Sequence, residues 1–234
     1  MPEKIVARPL ITITNIIWSF NSKTHLPQIL LVKRASDPFK KSWALPETLL
    51  RSNESAESAC IRLIKDKIGI LIPDSATEQL ATFTNPKRIT GERALALAYM
   101  TFLPIMPKLK ADYGAIEARW FSFNFKEKKF FLMNDQIKLQ LDAKSKLAFD
   151  HAEIINTAIQ RINNKLDYQP TILQILGPTF TLRQAREVYA IFRQTSVDKI
   201  DNSDFKKTHK RIFKEVGTAS AKRSGRPPKL FKLV

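Results

Sequence analysis

The chain has 234 residues, enough for one large domain or two small ones, and 44% of them are hydrophobic, which excludes intrinsic disorder for its bulk. Lys and Arg number 39 against 22 Asp and Glu, and the formal net charge of +17 favours polyanionic partners such as nucleic acid. One cysteine, Cys60, excludes an internal disulfide framework and a cysteine-based zinc site.

No stretch approaches the roughly 18–20 uninterrupted apolar residues of a membrane span. Met1-Pro2-Glu3-Lys4-Ile5 lacks the basic-then-apolar order of a secretory signal. A soluble cytoplasmic protein with no membrane partner is therefore expected. The charge is unevenly spread: residues 181–234 carry 14 Lys and Arg and 5 Asp and Glu, a net of +9 over 54 residues, whereas the preceding 180 carry +8. The last quarter reads as a basic module attached to a milder domain.

In chain order, residues 9–20 are rich in β-branched and aromatic residues and predict a strand, and the short apolar run 27–34 predicts a second. Between residues 53 and 69 the pattern changes to helical spacing. Asn53 or Ser55 can cap the start, Ala56, Cys60, Leu63 and Ile64 recur on one side, and Gly69 supplies a stop. Residues 94–103 and 117–123 predict two further strands, and 151–166 an amphipathic helix with Ile154, Ile155, Ala158, Ile159 and Ile162 on one side. This order fits a mixed sheet with helices against it. Residues 167–170 break the pattern and mark a junction. Beyond it come segments 170–176 and 181–194, a polar turn at 196–201, a helix over 202–213, a basic turn and a terminal strand from Lys229. That sequence of elements is the plan of a winged helix.

Residues 43–70, WALPETLLRSNESAESACIRLIKDKIGI, resemble the Nudix box without a gap. In that family pattern a Gly is followed after five residues by Glu, and after seven more by Arg-Glu-apolar-any-Glu-Glu-any-Gly-apolar. Here Thr48 stands for the Gly, Glu54 for the first Glu, Arg62 for the Arg, and Leu63, Asp66 and Lys67 for the later three Glu. Positions 63, 66 and 67 share one helical face, where carboxylates would hold Mg²⁺ against a diphosphate. Leu63 cannot ligate, and the Lys67 ammonium repels a cation. The resemblance therefore implies a retained scaffold with hydrolysis lost, no catalytic residue, and no resident metal or cofactor. Residues 115–123 and 147–155 resemble later Nudix segments. There His151 has two readings, a general base or, with Asp150, a structural cap of its helix; the second is adopted.

A Nudix domain followed by a winged helix resembles the NrtR-type transcriptional regulators. The expected fold is α+β: an N-terminal Nudix-like α/β/α sandwich with a mixed sheet over residues 1–167, and a C-terminal winged helix-turn-helix over 168–234. Residues 205–213, FKKTHKRIF, resemble the recognition helix, and 225–232, GRPPKLFK, the wing and its terminal strand. On such a helix Phe205, Ile212 and Phe213 can be buried. Lys206, Lys207, Thr208, His209, Lys210 and Arg211 are the candidate DNA contacts, joined by Lys222, Arg223 and Arg226 on the wing. A diphosphate ligand held without metal needs cations, for which Lys33, Arg34, Arg62, Lys67, Arg88 and Arg93 are the candidates, with Arg62 also able to pair with Glu54.

The resemblance implies a homodimer on a palindromic double-stranded operator and a small-molecule effector such as ADP-ribose. Two rivals remain at this stage: an active Nudix diphosphate hydrolase using Glu54 and Asp66, and a degenerate Nudix protein bound to RNA or ribosomes.

Overall fold

The computed structural model describes residues 8–73, 76–89, 91–109, 111, 114–142, 144–220 and 227–234. Lys222, Arg223 and Arg226 lie outside the described residues. Eleven strands and four α-helices are formed among those described. In chain order they are β1 (Leu10–Asn21), β2 (Leu26–Arg34), β3 (Trp43–Ala44), β4 (Glu47–Leu49), α1 (Ala56–Ile68), β5 (Thr77–Phe83), β6 (Ala94–Phe102), β7 (Ala115–Lys126), β8 (Lys129–Asn134), β9 (Ile137–Gln140), α2 (His151–Lys165), α3 (Leu182–Phe192), α4 (Asn202–Thr208), β10 (Phe213–Thr218) and β11 (Lys229–Leu233). Short 3₁₀ turns at Thr171–Leu176 and Val197–Lys199 precede α3 and α4.

The main sheet runs β5-β6-β1-β2-β7-β8-β9, with β3 paired to β2 and β4 to β1. It is mixed: β1 and β6 are parallel from Leu10↔Ala94 to Trp18↔Phe102, and β1–β2 and β2–β7 are antiparallel. Alternation along β1 separates the two cores. Ile13 and Ile17 pack with Ala59, Cys60 and Ile64 of α1, while Ile16 and Trp18 pack on the opposite side with Ile154, Ile155 and Ile162 of α2. The expected α/β/α sandwich is this arrangement.

The helix ends follow local chemistry. Ser55 caps α1 by accepting from the Ser58 amide, and Gly69 closes it in the left-handed region at φ 77° while its own N–H reaches the Lys65 carbonyl. Thr181 and Gln184 form a reciprocal capping box on α3, and Asp201 caps α4. Asp150 does not cap α2, against the sequence expectation, because its carboxylate is engaged by Arg88.

The C-terminal module is docked rather than tethered. The Phe192 ring of α3 packs edge-on against Trp18, at 5.7 Å between centroids, and lies 5.3 Å from Phe123. One continuous cluster of buried residues runs from Ile16 through Ile162 to Tyr189, Phe205 and Phe231. About one turn earlier on α3, Tyr189 faces Phe205 at 4.9 Å and His209 at 5.1 Å, so α3 is sandwiched between the sheet and α4. No helix among the described residues is long and apolar enough to cross a membrane.

The final helix is shorter than its sequence suggests. It ends at Thr208, and Phe213 opens β10 opposite Leu233. The amides of Ile212 and Phe213 both bond the His209 carbonyl, which turns the chain out of the helix, so Lys210 and Arg211 lie in this turn.

Candidate effector cleft and DNA-binding face

A cleft of about 340 Å³ opens where the start of β1, the end of β2, the β3–β4 segment and the end of α1 converge. Its walls include Arg34, Glu47, Thr48, Lys67, Glu92 and Phe149. The Arg34 guanidinium lies 4.7 Å from the Phe149 ring centre and donates through Nε to the Pro38 carbonyl at 2.8 Å. Phe39 packs edge-on against the same ring at 4.9 Å. The cleft wall thus carries a guanidinium held over an aromatic ring.

Of the six cations taken from the sequence, Arg34 and Lys67 line the cleft. The other four are not among the residues lining it. Lys33 is 3.7 Å from Glu117, and Arg93 donates to the Thr84 carbonyl at 2.9 Å. Arg88 has a side chain only 1% exposed and holds Asp150, with Nε at 2.9 Å from Oδ2 and Nη2 at 3.0 Å from Oδ1; Glu47 is 3.9 Å away. This guanidinium ties Asp150 in place and is not among the residues lining the cleft, although its Nη1 is buried without a hydrogen-bond partner among the described residues.

Arg62 is likewise consumed. Its Nε and Nη2 grip Glu54 at 2.8 and 2.6 Å, Nη1 reaches the Thr48 hydroxyl at 3.2 Å, and Nη2 donates to the Leu49 carbonyl at 3.0 Å. The Arg62 guanidinium beside Glu54 holds that carboxyl down to about 2. Asp66, 3.7 Å from Arg62, completes the network. The two carboxylates that survive in the box thus bind an arginine that pins the preceding loop onto α1. Leu63 is buried in the packing of α1, and Lys67, itself buried, is among the residues lining the cleft. These side chains do not fit a divalent cation: the donor set is one aliphatic group, one cation and two carboxylates already paired.

His151 is fully buried, and its Nδ1 accepts the Leu45 amide at 2.9 Å. The proton of the neutral ring therefore sits on Nε2. Burial pushes the imidazole down to about 3, so it stays neutral at physiological pH. The structural reading of His151 holds in a different form: it ties the first turn of α2 to the cleft wall. Phe149, two residues earlier, is the cleft residue that the sequence reasoning passed over inside the segment it had singled out.

On the basic module, Lys206, Lys207 and Thr208 of α4 and Lys210 and Arg211 of the following turn are exposed. His209 is not. It is 1% exposed, donates from Nδ1 to the Phe205 carbonyl at 2.7 Å and stacks on Phe213 at 5.0 Å. This corrects its placement among the DNA contacts. An imidazole with aromatic neighbours at i−4 and i+4 is drawn inward by the packing of α4 on α3.

Residues 11–131 match the NUDIX domain, and residues 172–233 match the NrtR DNA-binding winged helix domain. The fold is similar to the crystal structure of a MutT/nudix family protein from Enterococcus faecalis, with a TM-score of 0.89 and 31% identity, covering all of this chain and 90% of that one. The ADPR responsive transcriptional repressor NtrR of Acinetobacter baylyi is 26% identical over 193 residues, 82% of this chain and 69% of the relative. An ADP-ribose pyrophosphatase of Methanocaldococcus jannaschii is 30% identical over 152 residues, 65% of this chain and 74% of the relative. A Nudix sheet whose box helix carries Leu63 and Lys67, continuous through its core with a basic winged helix, agrees with both matches: the chain belongs to the Nudix family, in its NrtR-type form with a C-terminal winged helix.

Proposed function

We propose that this protein is a DNA-binding repressor whose Nudix domain, residues 1–167, takes ADP-ribose without hydrolysing it, and whose winged helix, residues 168–234, binds a palindromic operator as part of a homodimer. The observation that carries this reading is Lys67. It lines the cleft and puts a cationic side chain at a box position where the family pattern has a Glu, on the face that would otherwise hold a cation against a diphosphate. Arg34, held over the Phe149 ring, adds a second positive group to the cleft. The name of the Acinetobacter baylyi relative supports the choice of ligand. Operator binding places the protein with the DNA, in the cytoplasm.

Ligand in the cleft acts on the winged helix through α2. At one end of this 15-residue helix, Asp150 and His151 are bonded to Arg88 and to the cleft residue Leu45. About 22 Å away at its other end, the Leu166 carbonyl accepts the Tyr189 hydroxyl, and Asp167 pairs with Arg193 and faces His209 Nε2 at 3.5 Å. A helix held at both ends carries a change in cleft geometry to α3 and α4. Ligand then shifts operator affinity by binding one arrangement more tightly than the other.

Titration calorimetry with ADP-ribose in EDTA, paired with phosphate release in Mg²⁺ or Mn²⁺, tests the reading. Binding without metal and no turnover are expected. The second reading, an active hydrolase, is favoured by the pyrophosphatase name of the Methanocaldococcus jannaschii relative. Turnover that scales with added metal establishes it.

A further inference from the structure

The wing carries a carboxylate on the side that faces the recognition helix. Glu215 lies opposite Phe231 in the β10–β11 ladder, and cross-strand partners project from the same face of a hairpin. Phe231 is buried in the core, and Lys206 of α4 stands 5.9 Å from its ring centre. Glu215 therefore points toward α4, where a groove of about 540 Å³ separates helix and wing. Leu182, Phe213 and Phe231 form the apolar part of the groove, and Lys206, Lys207 and Lys210 the basic part. Among the described residues lining it, Glu215 is the one acid.

Its two oxygens are divided between two lysines. Oε1 is 2.6 Å from Lys229 Nζ, and Oε2 is 3.8 Å from Lys206 Nζ. Lys206 is one of the candidate DNA contacts on α4, Lys229 reaches the same carboxylate from β11, and both are at least 42% exposed in the side chain. Exposed ion pairs of this kind add little to folding stability. Their effect on an incoming phosphate is larger: it must displace the carboxylate from both ammonium groups or accept a like charge beside it.

We propose that Glu215 restrains non-specific DNA binding by keeping Lys206 and Lys229 from arbitrary phosphates, so that a duplex must offer the further contacts of an operator to engage them. A chain of net charge +17 otherwise binds any duplex strongly at low salt. The inference rests on the DNA-binding reading above and adds a determinant of selectivity to it.

The test is fluorescence anisotropy with full-length wild type and Glu215→Gln, on a scrambled duplex and on an operator selected from genomic DNA, across a salt series. Each lysine released to a phosphate steepens log K against log salt by about 0.9. Glu215→Gln is expected to bind the scrambled duplex about tenfold more tightly at about 0.15 M salt, with a slope steeper by about 1.8. Operator affinity should rise less, so the ratio of the two falls. Adding Lys206→Gln to that variant should reverse about half of the slope change. Unchanged affinity and slope on the scrambled duplex overturn the proposal. Loss of operator affinity alone also overturns it, because it marks Glu215 as a reader of bases. Wild type that binds neither duplex overturns the DNA-binding reading itself, a result recognisable without any variant.

Discussion

Arg88 and Asp150 meet through two parallel hydrogen bonds in a site where their side chains are 1% and 9% exposed. The pair joins the loop before β6 to the first turn of α2, directly behind the cleft wall. Removing one partner from a buried pair leaves the other charged and unsolvated, at a cost of about 3–5 kcal/mol. Asp150→Ala is therefore expected to lower Tm by about 10 °C, since each kcal/mol shifts a domain of this size by roughly 2–4 °C. Replacing both, as Arg88→Met with Asp150→Leu, should recover much of the loss. Equal Tm for Asp150→Ala and wild type in thermal denaturation contradicts the tie.

Burial makes His151 a source of acid sensitivity. The folded ring is held down to about 3, against an ordinary value near 6.5 for the unfolded chain. Between those values the unfolded state binds a proton that the folded state refuses, so stability is lost as pH falls from 6.5 toward 3. Asn at 151 keeps an acceptor for the Leu45 amide but does not titrate. Urea midpoints for His151→Asn should therefore fall less steeply than wild type between pH 6.5 and 4.5. Parallel declines rule out His151 as the responsible group.

Lys67 carries the effector reading, and charge reversal exposes it. Lys67→Glu is expected to weaken ADP-ribose binding at least about tenfold in EDTA, the loss of one charge-assisted contact. Because Lys67 is buried, folding of the variant is checked by thermal denaturation before its affinity is read. Unchanged affinity by calorimetry would remove Lys67 from the site.

The basic face separates contact from packing. Lys207→Ala and Lys210→Ala should each weaken binding to all duplexes and reduce the salt slope by about 1, with stability unaffected. His209→Ala should instead lower stability by about 1–3 kcal/mol, through lost packing on Phe205 and Phe213, and leave the salt slope unchanged. A reduced slope for His209→Ala, read from anisotropy over a salt series, contradicts its buried role.

The parts of the fold that follow simple periodicity were legible in the sequence. The strands β1, β2 and β6 and the helices α1 and α2 fall within a few residues of their expected positions. The hairpin β7–β8 was hidden because its two-residue loop is Glu127-Lys128, both at positive φ of 51° and 61°, where Asn or Gly would have signalled the turn. Residues 77–83, TEQLATF, mix polar and apolar groups because β5 is an edge strand, and the same mixture obscured it. Helical spacing was carried five residues too far in α4, since Ile212 and Phe213 fit a helical face as well as the start of a wing.

The site divides in the same way. The box told which ligating groups were gone, and Arg62 pairing with Glu54 followed from their charges. Which cations reach the cleft depended on partners distant in sequence: Asp150 takes Arg88 from 62 positions away, and no local pattern announces it. Phe149 and Arg34 meet only in the fold.

The central claim joins a ligand-binding cleft to operator binding, and one selection tests both. Genomic fragments are captured by the full-length protein at about 0.15 M salt, where exposed charges are screened within about 8 Å, and the bound pool is then challenged with ADP-ribose in EDTA. The account predicts one palindromic motif, released by the ligand. Captured fragments with no shared motif, or co-purifying RNA in their place, contradict it.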